Sequence, residues 1–236
     1  MNYKIRKEIF ELFPDYCRAV VVGRDINNCR PVPEIGELLR QEIATIASDP
    51  IVAPAHPKLI AWDNAYRKFG ADPDRYTPSI RFLTSLVKAG KPIRSISPVV
   101  DLFNTFSLRY LMPCGADDID SVAPGDLELG IADGTEQFSP LFKPTTIEHP
   151  TPGEVIYYVH PGRRVLCRRW NWRNADFSKI QPETRNVAVN LDGMIPQITR
   201  DELEEAAVQL AGLLSQYCGG ESTVEYLDYE NPSFTF

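Results

Sequence analysis

Histidine is scarce in this chain of 236 residues: there are three, His56, His149 and His160, each beside a proline. A histidine-rich metal site is therefore excluded, and all three are expected in loops. The five cysteines, Cys17, Cys29, Cys114, Cys167 and Cys218, are odd in number and scattered, with no Cys-x-x-Cys pair. That pattern fits the reduced thiols of a cytoplasmic protein better than a disulfide framework or a zinc site. No apolar run approaches the roughly 20 residues that span a bilayer, and the first ten residues hold no signal-peptide stretch, so neither membrane nor secretion is expected. Gly-x-Gly-x-x-Gly and phosphate-loop motifs are absent, and no cofactor is expected. Positive charge is also lacking overall, the formal net charge being −7. Any RNA contact must then be a local basic patch, and DNA is not an expected partner.

What remains is ordinary globular material, without internal repeats or an evident linker, which reads as one domain over residues 1–236. An apolar run predicts a strand around Arg18–Gly23. Prolines then open helices at Pro33, Pro57 and Pro98, and Thr77-Pro78 offers a cap and first turn for another. The second half reads as strands: Leu127–Ala132, Val155–Val159 and Val165–Trp170 around a turn at residues 160–163, Asn186–Leu191 and Thr223–Tyr229. Between the last two lies a helix announced by Thr199-Arg200-Asp201-Glu202, a capping box, with an apolar stripe from Leu203 to Tyr217. Helices first and strands later imply an α+β fold.

Three clusters have chemical potential. Residues 163–173, RRVLCRRWNWR, hold five arginines and two tryptophans. Strand alternation would put Val165, Cys167, Arg169 and Asn171 on one face and Leu166, Arg168, Trp170 and Trp172 on the other. Such residues suit an RNA end, but equally a strand laced with salt bridges whose tryptophans lie in the core, and composition favours the latter. Asp101 and Asn104 sit one helical turn apart, able either to hold a ligand or to cap neighbouring loops. Asp117, Asp118 and Asp120 lack the glycine and terminal glutamate of a calcium loop and read as a solvated turn.

Two ordered segments resemble a known family. The first runs from Leu86-Val87-Lys88-Ala89-Gly90-Lys91-Pro92-Ile93 into Val99-Val100-Asp101-Leu102-Phe103-Asn104, followed by Leu108, Pro113, Ala116, Asp118 and Asp120. The second runs from Gly153-Glu154 through Gly162 to Val165–Arg173. Together they are similar to the editing (B3/B4) domain of the phenylalanyl-tRNA synthetase β subunit, and the Arg-Trp-Asn signature looks most like its free-standing relatives. The resemblance is strongest over residues 77–191. It implies a three-layer α+β domain, a β-sandwich of unusual topology flanked by helices, and hydrolysis of the ester joining a wrong amino acid to tRNA.

The family's site residues carry over only in part. Its asparagine falls on Asn104, while its neighbouring threonine is Phe103. Its histidine falls on Gly115, its small pocket-lining pair on Cys167 and Arg168, and its tyrosine-recognising glutamate on Asn190. These departures argue against tyrosine as the substrate. The resemblance thus implies Asn104 and backbone at Gly115 as the catalytic elements. Asp101, Cys167, Arg168, Asn171 and Asn190 would contact substrate, and Arg163, Arg164, Arg169, Trp170 and Arg173 the acceptor end of tRNA, with no metal. An arginine analogue such as canavanine is one candidate, recognised through Asp101, Asp117 or Asp118. The alternative is a module of the same fold that binds tRNA or an amino acid without catalysis.

Overall fold

The computed structural model describes residues 1–52 and 55–236. In chain order the elements are β1 (Asn2–Ile5), α1 (Lys7–Leu12), β2 (Tyr16–Arg24), α2 (Pro33–Ser48), α3 (Pro57–Lys68), α4 (Ser79–Lys88), α5 (Pro98–Tyr110) and β3 (Cys114–Asp118). There follow β4 (Asp126–Ile131), β5 (Val155–His160), β6 (Arg164–Arg168), β7 (Arg173–Asn174), β8 (Val187–Met194), α6 (Arg200–Cys218), β9 (Glu221–Leu227) and β10 (Ser233–Thr235).

Prolines at the first turn open α2, α3 and α5, as their fixed φ and missing N–H allow. The cap of α4 differs from expectation: Pro78, not Thr77, holds the N-cap position, and no side chain closes it. The capping box of α6 is present, with the Thr199 hydroxyl accepting from the Glu202 N–H at 3.2 Å and the Glu202 carboxylate from the Thr199 N–H at 3.4 Å. Thr199→Ala should therefore cost about 1 kcal/mol. A urea midpoint identical to that of the parent would show that the box contributes nothing.

Two sheets pack face to face. One has the order β10-β1-β4-β5-β6-β7 and the other β3-β8-β2-β9. Apart from the parallel β1–β4 pair, every neighbour is antiparallel. Strand β2 is buried from Tyr16 to Gly23 because both its faces are covered. Cys17, Ala19 and Val21 meet the helix layer of α5 and α6, while Tyr16, Val20 and Val22 join the core on the opposite side, toward the six-stranded sheet. Helices α5 and α6 thus cover one face of the four-stranded sheet and the six-stranded sheet the other, while α1, α3 and α4 bury their apolar residues in the cluster shared by the two sheets.

Two strands escaped the sequence reading. β1 precedes the strand that looked like the first, and β3 contains two of the three aspartates expected in a solvated turn, Asp120 being exposed in the turn that follows. Asp117 and Asp118 are instead buried, 8% and 7% exposed. Asp118 accepts from the Thr184 hydroxyl at 2.6 Å and the Ser121 N–H at 3.2 Å, which satisfies its charge inside the fold.

Candidate functional site

The inner face of the four-stranded sheet is unusually polar. Strand alternation turns Cys17, Ala19, Cys114, Val189 and Leu191 toward the helices and so turns Arg18, Gly115, Asp117, Asn190 and Asp192 toward the other sheet. That sheet contributes Tyr3 and Tyr157, whose rings lie 5.6 Å apart, and Cys167, which pairs with Tyr157. At the centre is Arg18, 2% exposed. Its guanidinium donates to Asp192 at 2.6 Å and to the Tyr3 hydroxyl at 2.5 Å, and lies 5.8, 5.9 and 5.3 Å from the ring centres of Tyr3, Tyr16 and Tyr157. Tyr3 in turn donates to Asn190 and Tyr16 to Asp192, each at 2.6 Å. Burial by itself pulls the Arg18 pKa down, but Asp192 and the two tyrosines outweigh it and hold the pKa above the usual arginine value. The result is a closed knot in which nearly every polar group has a partner; the Tyr157 hydroxyl is the exception.

This knot fills most of the inter-sheet space. Beside it, a cavity of about 10 Å³ is lined by residues including Trp62, Leu111 and Asp192. The space is looser at β3, the edge strand. A Cβ added at Gly115 would meet nothing within 4 Å. Gly115 is half-buried and pairs with Asn190. Two residues along the same face, Asp117 accepts from the Ser178 hydroxyl at 2.8 Å, and no other hydrogen bond reaches its carboxylate among the described residues. Burial raises its carboxyl to about 7, although Ser178 and Arg18 pull it down; Asp118 pushes it further up. A buried carboxyl that titrates near neutrality, beside a vacancy, has the features of a general acid or base. Cys167 lacks such features, because burial pushes its thiol well above the usual range.

Gly115 thus neighbours Asn190, and Cys167 lies across from them behind Tyr157 and Tyr3. Asn104 lies on α5, half-buried and without a hydrogen bond among the described residues. It shares a helical side with Leu108, which packs into the same core cluster as Cys167 and Tyr157. Asp101 is committed elsewhere: its carboxylate accepts from Ser95 and from the Ile96 N–H, tying down the loop before α5.

The arginine-rich segment differs most from its expected geometry. Alternation stops at Arg168, because Arg169 and Trp170 take left-handed φ values of 45° and 68°. An extra residue, Leu166, also bulges opposite Tyr157 and Tyr158. Arg168 lies opposite Cys167, as alternation expects, while the bulge moves Val165 off the Cys167 face and puts Leu166 on it. Arg168 makes a two-pronged pair with Glu154 at 2.9 and 2.8 Å and another with Glu148 at 3.0 Å. Arg163 pairs with Asp133 and Glu136, Arg173 with Glu148, and Arg169 with Glu154. Arg164 is exposed, its guanidinium 4.1 Å from the Phe177 ring centre. Trp170 is a core residue, 2% exposed, edge-on to Phe13, Tyr16 and Trp62 at 4.8–5.2 Å, and does not face RNA. Asn171 accepts from the Tyr66 hydroxyl and the Ser79 N–H. Salt bridges and core packing account for most of the segment.

Sequence reading missed Arg18, Asp192, Tyr3 and Tyr157. The signal was present: Asn190 and Asp192 occupy alternate places in an otherwise apolar strand, and Arg18 interrupts another. Among the described residues no cluster of three or more His, Cys, Asp or Glu could hold a metal ion, and no helix is long and apolar enough to cross a membrane.

The B3/4 domain family model matches residues 61–219, well over half of the chain. The fold is similar to that of an N-terminal fragment of the phenylalanyl-tRNA synthetase β subunit from Pyrococcus horikoshii. The TM-score is 0.47 and the identity 12%, with 93% of this chain and 49% of that one covered, so the chain spans about half the length of that structure. No curated relative matches the sequence. With more than half its length within the family model, the chain belongs to the B3/4 domain family.

Proposed function

We propose that the protein hydrolyses the ester of a wrongly charged aminoacyl-tRNA, acting on the free molecule. The observation that carries this reading is the vacancy at Gly115 beside the Asp117 carboxyl. Ester hydrolysis needs a placed water, a proton acceptor and donors for the developing oxyanion. In the proposed step, Asp117 takes a proton from water and the water oxygen bonds to the ester carbonyl carbon. The bond from that carbon to the ribose oxygen breaks, and the departing oxygen regains the proton from Asp117. β3 is an edge strand whose Asp118 N–H is taken by the Ser178 carbonyl at 2.9 Å, and its remaining outward N–H groups, with the Asn104 carboxamide, are the donors assigned to the oxyanion. Tyrosine suits this site poorly, since the Asn190 carboxamide replaces a carboxylate and already accepts from Tyr3. An arginine analogue such as canavanine also suits the site poorly while Asp117 serves as the base, because Asp101 and Asp118 are committed to Ser95 and Thr184.

A binding module without catalysis is the rival reading, favoured by one observation: Arg18 and the tyrosines fill the space an amino-acid side chain would enter. A deacylation panel separates the two. The protein is offered tRNAs charged with each correct amino acid, with several wrong ones and with canavanine. Release from one mischarged species supports the hydrolase, whereas binding with uniform inactivity supports the module. Gly115→Leu is the paired variant. Its side chain enters open space, so the melting temperature should hold while turnover falls at least tenfold by occlusion (about 1.4 kcal/mol in the barrier). Full turnover in that variant would remove the vacancy from the mechanism.

A further inference from the structure

The turn after β6 carries an array that the proposed hydrolysis leaves unused. Guanidinium and aromatic groups alternate along it. Arg75 lies 5.1 Å and Arg169 3.6 Å from the Tyr76 ring centre. Tyr76 meets Trp172 edge-on at 5.0 Å, and Arg169 and Arg173 lie 4.9 and 5.6 Å from the Trp172 ring. The left-handed pair Arg169 and Trp170 makes this possible, sending Trp170 into the core while Trp172 stays half-exposed. Between them, Asn171 has its carbonyl oxygen fixed by Tyr66 and Ser79, but its amide nitrogen is buried without a partner. Exposed Arg75 has no acidic partner among the described residues, yet Asp72 and Asp74 in its loop keep the corner from being a general polyanion site.

Resting on the RNA reading above, we propose that Trp172, braced edge-on by Tyr76, presents a stacking platform for an unpaired nucleobase at the end of an RNA. Arg75 and Arg173 flank its phosphates. Every base offers a π-face to an aromatic ring, and guanidinium groups reinforce such stacks. The platform lies on the hairpin that holds Cys167, since Arg168 pairs with Arg173 and Cys167 with Asn174.

Trp62 and Trp170 are both 2% exposed, so quenching of tryptophan fluorescence by a stacked base reads Trp172. The probes are a single-stranded RNA oligonucleotide ending in CCA and a blunt RNA duplex of equal length. The single strand should quench and the duplex should not. Trp172→Phe should lose the quench but keep affinity, measured by anisotropy, within about threefold, because an aromatic face remains. Trp172→Ala should weaken affinity about tenfold, and Arg75→Ala, at an exposed position that does not threaten folding, by about threefold. Equal quenching by the duplex, or unchanged affinity in both Trp172→Ala and Arg75→Ala, overturns the platform. If those variants bind normally while the panel shows ester cleavage, the platform fails and the hydrolase stands. Stacking without cleavage keeps the platform and removes the hydrolase.

Discussion

Replacing Arg18 by methionine is expected to destabilise the protein by about 3–5 kcal/mol, because it leaves Asp192 charged, buried and deprived of its counter-ion. For a chain of this length that corresponds to a fall in Tm of roughly 10–15 °C. The loss comes from the orphaned partner more than from the ion pair itself. Arg18→Met combined with Asp192→Asn should therefore recover part of the loss, since the amide still accepts from the Tyr16 hydroxyl, which reaches Asp192 at 2.6 Å. Equilibrium denaturation of the two variants and the parent measures this. A single variant within 1 kcal/mol of the parent would mean that the tyrosine cage, and not Arg18, holds the sheets in register.

Asp117→Asn is expected to change activity and stability in opposite directions. If Asp117 accepts the proton, the amide should lower deacylation by about 100-fold or more. In the parent, kcat should rise with pH through about 7 as the carboxylate forms. For stability, the folded-state pKa of about 7 lies above the ordinary aspartate value of 3.8. The unfolded chain therefore releases the proton first. The group's favourable contribution is whole below about pH 4, fades as pH rises, and is gone above about pH 7. Asparagine never ionises and can still accept from Ser178, so the variant should lose this slope and be more stable at pH 8, by up to about 4 kcal/mol. Ser178→Ala removes a hydrogen bond that lowers the pKa, and should move both the activity and the stability midpoints upward. Tm measured from pH 4 to 8 provides the check. Parallel curves for parent and Asp117→Asn would refute a carboxyl that titrates in this range.

Local signals carried much of the architecture. Proline at the first turn located three helices, the Thr199 box located α6, and the turn at residues 160–163 located the β5–β6 hairpin. Each is a property of a few consecutive residues, so the sequence expresses it directly. β3 failed the same test. Cys-Gly-Ala-Asp-Asp has neither β-branched residues nor apolar alternation, and becomes a strand because β8 offers it a partner from Val187 to Leu191. β1 likewise depends on β4 and β10, which lie far along the chain.

The residues 163–173 show the limit from the other side. Their composition suggested two uses, and alternation assigned them faces, but two left-handed residues and a bulge rearranged those faces. Trp170 and Trp172, both expected on one side of a strand, end respectively in the core and half in solvent.

By itself the sequence determined the helix starts, the strand-rich second half, the α+β class and the positions that resemble an editing domain. These follow from backbone sterics and from hydrophobic period, which act over a few residues. Only the tertiary structure decided that Arg18 meets Asp192, that four of the five arginines in residues 163–173 pair with acids, and that Gly115 leaves space beside Asp117. Charge pairing and pKa depend on separation and burial in three dimensions, and neither is a function of distance along the chain.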